Sequence, residues 1–316
     1  MEYRSLGNTG LRVSEIALGT VELGLDYGFR GSGHYLRPEE QEAICIVQRA
    51  VDLGINLIDT GRAYGTSEEL IGKAIKGMSA PPYIASKLTV PEDACKARDS
   101  KKLHDEIFAS IEASLKALQV ETIDLMQIHN TNLEIVHSQE VLNCLEEARQ
   151  QGKIRFIGAS CSGGEEVPLA VIASNRFQTI QVAFNVLDQR MLPSVFPRAA
   201  QRGVGVLIRS AYLRGVLTSQ VHAIPARLAP LKEAALAALK EVGDEVAALA
   251  ELALRFCLSP PEVSSVVIGV RSVAELDSNL ADAGKGSLPP ETIQKLQAFA
   301  VHDEALIEPW RWRDLH

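Results

Sequence analysis

The stretch GINLIDTGRAYGTSEE, residues 54–69, decides how this chain is read. Ile55, Asn56, Leu57 and Ile58 form a short apolar strand that runs straight into Asp59. A glycine-containing loop carrying Tyr64 follows, and the pattern predicts a helix capped by Thr66 or Ser67. Two readings are open. Asp59 caps a turn and Tyr64 packs on it, or the two stand where α/β scaffolds put their chemistry, on the loop after a strand.

Outward from this stretch, short apolar runs and amphipathic helices alternate. Residues 3–12 read as a hairpin with Gly7-Asn8-Thr9-Gly10 at its turn. Apolar runs follow at 16–18, 56–58, 83–86, 123–128, 155–158, 180–183, 204–208 and 264–268. Helical patterns are expected at 39–53, 67–76, 102–118, 138–151, 165–173, 193–201 and 273–283. Leu103, Ile107, Ile111 and Leu115 mark one face of the third. Eight strand-plus-helix units are the count for a closed (β/α)8 TIM barrel, a single domain over residues 1–316 with an N-terminal β-hairpin. An open doubly wound sheet would carry a GxGxxG turn after its first strand, which Leu18-Gly19-Thr20-Val21-Glu22-Leu23-Gly24 does not match. The alanine-rich segment 225–257 predicts an extra helix or two before the last strand, and another helix is expected near 290–301.

Composition narrows the function. The 316 residues are 46% hydrophobic, enough for a large core, and the net charge of −8 argues against nucleic acid or an anionic membrane as partner. The five cysteines are widely spaced with no CxxC or Cys/His cluster, so neither a disulfide framework nor a metal site is expected. No signal-peptide pattern and no run of ~20 apolar residues is present, and a cytoplasmic protein is expected.

On a barrel, residues just past the strands share one rim. Those positions hold Gly19-Thr20, Asp59 with Tyr64, Lys87, His129, Ser160, Gln181, Arg209-Ser210 and 269–271. Alone, Lys87 reads as a strand-end lysine with its charge in water and His129 as a partner for a backbone carbonyl. A carboxylate, a phenol, an ammonium and an imidazole from three consecutive strand ends are harder to dismiss.

The motifs together resemble the aldo-keto reductase family, bacterial type: LGT at 18–20, INLIDTGRAYG with SEELIGKAI, ASK at 85–87, IDLMQIHN at 123–130, GKIRFIGAS, IQVAFN and VVIGVRSVAELDSNL. The resemblance implies reduction of an aldehyde or ketone by hydride from a nicotinamide cofactor bound across the rim. It makes Tyr64 the proton donor, Lys87 its tuner, Asp59 the partner that keeps Lys87 charged, and His129 the group that orients the carbonyl. A lysine cation beside a phenol is expected to lower its pKa from ~10. In the oxidative direction Tyr64 would be the base.

The resemblance also assigns the cofactor side. Gly19, Thr20 and Asp59 lie at its edge, and Ser160 and Gln181 hold the carboxamide; Cys161 stands where asparagine is usual. VLIRSAYLRGVL at 206–217 aligns with a phosphate loop usually reading YSPLGRGLL, which brings in Ser210, Leu213 and Gly215 and puts Arg209 where a stacking tyrosine is common. A guanidinium plane can also stack, or Arg209 is a solvated loop residue. Gly269, Arg271, Glu275 and Asn279 match the adenosine end. Arg271 would meet a 2′-phosphate by charge-assisted bonds, favouring NADPH/NADP over NADH. The expected substrate is a small carbonyl or sugar-like molecule, chosen by loops at 27–38, 88–101, 130–137 and 307–316. Arg30, His34 and Tyr35 suit a polar ligand, whereas Trp310 and Trp312 form a wall over the rim or pack the tail onto a helix. An NAD(P)-dependent sugar or alcohol dehydrogenase on the same site is the alternative, and a cofactor-binding regulatory subunit a further one.

Overall fold

The computed structural model describes residues 1–29, 35–97 and 99–312. Strands β1 (Tyr3–Ser5) and β2 (Arg12–Ser14) pair antiparallel through the turn Gly7–Thr9. Eight strands then close a barrel: β3 (Ile16–Gly19), β4 (Leu57–Asp59), β5 (Tyr83–Leu88), β6 (Ile123–Thr131), β7 (Ile154–Cys161), β8 (Thr179–Ala183), β9 (Gly205–Arg209) and β10 (Val263–Gly269). Each is parallel to its neighbours, and β10 returns to pair with β3. Parallel strands covered by helices are buried on both faces, which is why these segments read as apolar runs and not as alternating ones. The hairpin plugs the N-terminal end of the barrel. Leu6, Leu11 and Val13 join Ala17, Leu57, Ala85, Leu125 and Leu207 in a small apolar cluster, and the Asn8 N–H donates to the Gly203 carbonyl at 2.7 Å.

The helices follow the apolar stripes. The helix Ser100–Leu118 buries Leu103, Ile107, Phe108 and Ile111 and ends at Gln119 in the left-handed region. The segment between β9 and β10 holds two helices, Ala229–Val242 and Leu249–Leu258, and the chain closes with Pro290–Leu296 and Glu304–Ile307. Three short helices, Val21–Gly24, Glu92–Ala97 and Leu133–His137, lie in stretches that read as loops; four to six residues are too few to display a helical period.

The helix after β4 begins at Ser67 as expected, but its N-cap residue Thr66 makes no side-chain cap. The Ser67 hydroxyl turns inward, bonding Thr20 Oγ1 at 2.6 Å and the Thr60 hydroxyl at 2.9 Å. A tertiary hydroxyl cluster, tying the ends of β3 and β4 together, takes the place of the local cap.

No helix among the described residues is long and apolar enough to cross a membrane. Arg30 and His34 lie outside the described residues. Tyr35 accepts a hydrogen bond on its carbonyl from the Tyr27 N–H at 2.9 Å.

Candidate active site

The rim residues come together, with one adjustment. Strands β4, β5, β6, β7 and β9 run further toward their C-terminal ends than the apolar runs indicate, so Asp59 and Arg209 are the last residues of β4 and β9, while Lys87, His129 and Ser160 lie within their strands, as Gln181 does in β8. Strand hydrogen bonds, and not loops, therefore hold these groups in place.

Asp59 and Lys87 form the buried centre, 4% and 1% exposed. Lys87 Nζ donates to Asp59 Oδ2 at 2.5 Å and to the Thr60 carbonyl at 2.9 Å. Burial disfavours the ammonium, but Asp59 and Tyr64 outweigh it, and Lys87 is held above its ordinary range as a cation. The other carboxylate oxygen of Asp59 accepts from Gln181 Nε2 at 2.7 Å and from Gln127 Nε2 at 3.1 Å. Gln127 escaped the sequence reading. Its signal was parity: two residues before His129 on one strand, it shares that face of the sheet. Gly158 on β7 leaves it room, since a Cβ there would meet the Gln127 Cγ at 3.0 Å.

Tyr64 rides on the loop after β4. Gly65, at φ +59°, turns the chain so that its backbone lies against the Gly24 carbonyl, where a Cβ would collide. Arg62 pins the loop to the buried Glu68 at 2.6 Å, and Glu68 in turn accepts from Ser86 Oγ at 2.6 Å. Lys87 Nζ sits 4.8 Å from the Tyr64 ring centroid, and the ring meets His129 edge-on at 5.7 Å.

The net displacement of the Tyr64 phenol is upward, opposite to the expected one. Burial outweighs the pull of Lys87, and the Asp59 charge adds to burial. His129 goes the other way: burial, then Lys87, push it down to about 4, so its imidazole is neutral at physiological pH.

A cavity of about 690 Å³ opens over these groups. Its lining includes Tyr64 and His129, and every residue expected on the cofactor side: Gly19, Thr20, Asp59, Ser160, Gln181, Arg209, Ser210, Leu213, Gly215, Gly269, Arg271, Glu275 and Asn279. Lys87 lies behind that surface. Glu22, Tyr27, Arg214 and Asp282 also line it and were not read from the sequence.

Arg209 donates to the Cys161 carbonyl at 2.9 Å and Ser162 Oγ at 3.1 Å, with its guanidinium 5.6 Å from the Trp310 ring. It is a fixed wall of the cavity, not a solvated loop residue. After it, Ser210, Leu213 and Arg214 hold φ of 61°, 44° and 57°. Positive φ at non-glycine residues costs energy and clusters where ligands are clamped.

The two tryptophans separate. Trp310 lines the cavity, while Trp312 is fully buried and stacks on Phe29 at 5.7 Å, so the tail locks onto the segment after β3. Buried Glu308 anchors that tail through Arg190 at 3.0 Å and Arg311 at 2.5 Å. Among the described residues no group of three or more His, Cys, Asp or Glu is placed to hold a metal ion.

Comparison with known proteins places this geometry. Residues 15–301 match the Aldo/keto reductase family. The chain is 29% identical to an L-galactose dehydrogenase from Arabidopsis thaliana, covering 98% of this chain and 93% of that protein. It is 34% identical to the aldo-keto reductase YhdN of Bacillus subtilis over 70% of this chain and 65% of that one. A rice protein named as a probable voltage-gated potassium channel subunit beta is 25% identical, over 98% and 100%. Among solved structures, the holo form of aldo-keto reductase AKR11C1 from Bacillus halodurans superposes with a TM-score of 0.78 at 26% identity, covering 97% of this chain and 99% of that one. A closed parallel barrel with a hairpin at its base and a family match along nearly its whole length make this chain an oxidoreductase of the aldo/keto reductase family.

Proposed function

We propose that the protein reduces an aldehyde or ketone to an alcohol using NADPH, with Tyr64 as proton donor, Lys87 and Asp59 as its electrostatic support and His129 orienting the carbonyl. The observation that carries this reading is the buried Asp59–Lys87 pair lying directly beneath a phenol that lines a cavity. Removing one partner of such a pair costs about 3–5 kcal/mol, so it is an expensive arrangement for mere packing.

A nicotinamide dinucleotide fits the residues present. The cavity, about 690 Å³, is lined from Tyr64 to Arg271, and a strained shelf at Ser210, Leu213 and Arg214 forms part of its wall. Buried Oε2 of Glu22 and Nε of Arg271 have no hydrogen-bond partner among the described residues. Ser160 and Gln181 would hold its amide end, Ser210, Leu213 and Gly215 its diphosphate, and Gly269, Arg271, Glu275 and Asn279 its adenosine. When bound, that group supplies the hydride.

The chain's own part is the proton. As a carbonyl oxygen gains negative charge it needs a donor and positive potential nearby. Tyr64, with its proton held more tightly than in water, stays a protonated donor across neutral pH. Lys87 supplies the positive potential behind it and becomes more effective as charge develops, because Tyr64 then approaches phenolate. Neutral His129 offers one ring N–H to the oxygen and cannot compete with Tyr64 as an acid.

A polyol or sugar oxidised in the reverse direction is a second reading, supported by the likeness to a protein named L-galactose dehydrogenase. In that direction Tyr64 must lose its proton, and the raised phenol favours alkaline pH.

The test pairs wild type with Tyr64→Phe. NADPH and NADH are titrated by fluorescence, then a panel of aldehydes, ketones and aldoses is added. The expected outcome is cofactor binding unchanged within about threefold and turnover lowered by about 10²–10⁴. Full turnover in the variant would remove Tyr64 from the chemistry. Tight binding by wild type with no turnover on any panel member would favour a cofactor-binding regulatory subunit, a reading in keeping with the likeness to a rice protein named as a probable voltage-gated potassium channel subunit beta.

A further inference from the structure

The cavity lining holds two groups of different chemistry. Asp59, Tyr64 and His129, with Lys87 behind them, form one; in the other, Glu22 lies near Arg271 and Arg214, with Glu275 beside them. Glu22 stands in the short helix Val21–Gly24, which begins two residues beyond β3, so the strand delivers its side chain to the rim. The carboxylate lies flat against β10. A Cβ on Gly269 would fall among its atoms, so a glycine there is what gives Glu22 its place.

Neither Glu22 nor Arg271 is satisfied. Oε2 of Glu22 is buried and accepts no hydrogen bond from any described residue, and Nε of Arg271 donates none. Arg271 gives one arm to the Tyr27 carbonyl at 2.7 Å, and its backbone N–H goes to Glu275 Oε2 at 2.8 Å. Opposite charges thus share one part of the cavity lining, each with a buried atom unused. Unsatisfied buried polar atoms are costly, and a ligand that engages them recovers that cost.

Burial favours the protonated acid, and Arg271 and Arg214 oppose it while Glu275 adds to it; the balance lies on the protonated side of an ordinary carboxyl. An incoming phosphate tips it further. It pairs with the guanidinium groups by charge-assisted bonds, withdrawing their charge from Glu22, and it sets a like charge beside the carboxylate. Once protonated, the acid has an O–H to donate to a phosphate oxygen.

Building on the cofactor reading above, we propose that Glu22 is a specificity-determining residue of the nucleotide end: as a carboxylate it opposes a cofactor phosphate beside Arg271 and Arg214, and it takes one proton from solvent when that phosphate binds. The phosphate is either the diphosphate common to NADH and NADPH or the 2′-phosphate of NADPH alone. Linkage then makes affinity for that phosphate fall with rising pH, by up to about tenfold per unit for one full proton.

The experiment is isothermal titration calorimetry of the whole chain with NADPH and with NADH, in two buffers of different ionisation enthalpy, for wild type and Glu22→Gln. The difference between buffers counts protons, and subtracting the variant removes any proton that the phosphate itself exchanges. Wild type is expected to take up more protons than Glu22→Gln, and its affinity to fall more steeply with rising pH than the variant's. An excess seen only with NADPH assigns the 2′-phosphate; an excess with both cofactors assigns the diphosphate. Equal uptake in the two proteins overturns the proposal, as does weaker binding by Glu22→Gln without a change in protons, which would make Glu22 an ionised acceptor for ribose hydroxyls. Absence of any binding heat with either cofactor in wild type would instead bring down the cofactor reading, and this inference with it.

Discussion

At the residue scale, burial sets the acidity of Tyr64 and what surrounds Asp59 adjusts it. One carboxylate oxygen takes Lys87 and the other takes the amides of Gln127 and Gln181. The two neutral donors spread the Asp59 charge, so less of it cancels Lys87 and more of the ammonium's potential reaches the phenol. Gln127→Leu removes one donor without emptying the space and leaves its unpartnered Oε1 out of the core. The expected result is a pH profile for alcohol oxidation whose rising limb moves to higher pH, with turnover at neutral pH down by about tenfold. The melting temperature should change little, because the lost charged hydrogen bond of about 1.5–3 kcal/mol is offset in part by relief of that oxygen. An unmoved limb in pH–rate measurements would make Gln127 a packing residue only. Parity with His129 put Gln127 on the site's face, but a glutamine inside an apolar strand shows no chemistry of its own. Its meaning comes from the Asp59 carboxylate two strands away.

At the element scale, the loop 60–66 shows how close backbones aim a side chain. Gly24 and Gly65 touch with no room for a Cβ, and Gly65 is left-handed at φ +59°. Gly65→Ala is expected to cost about 1–3 kcal/mol in strain and to displace Tyr64 from Lys87. Denaturant melts should therefore shift while turnover falls more than cofactor affinity does. An unchanged rate with a lowered midpoint would mean that the loop yields without moving Tyr64. The glycine could be seen in the sequence; the collision it avoids, with Gly24 on the segment after β3, could not.

At the scale of the whole molecule, the barrel concentrates charge and excludes water at one end, and His129 records the effect. Its folded value of about 4 lies below the ordinary 6.5, so the unfolded chain binds more protons between those values. The stability from keeping His129 neutral is present above pH 6.5 and is lost as pH falls toward and through about 4, at up to ~1.4 kcal/mol per pH unit. Urea melts from pH 7 to 4 check this: the wild-type curve should fall more steeply than that of His129→Gln. Parallel curves would show that His129 reaches solvent and titrates normally.

The sequence by itself determined the barrel, because eight parallel strands buried on both faces must appear as apolar runs, and helices lying on a sheet must carry apolar stripes. It also determined which groups stand at the rim, since strand order alone brings Asp59, Lys87 and His129 to one end. Tertiary structure alone decided the energetics. Burial raises the phenol of Tyr64 despite its lysine, the tail sends Trp312 to the core and Trp310 to the cavity, and Glu22 Oε2 has no hydrogen-bond partner among the described residues. Each of these depends on distances across the barrel and on access to water, quantities set by the closed fold and not by any neighbour along the chain.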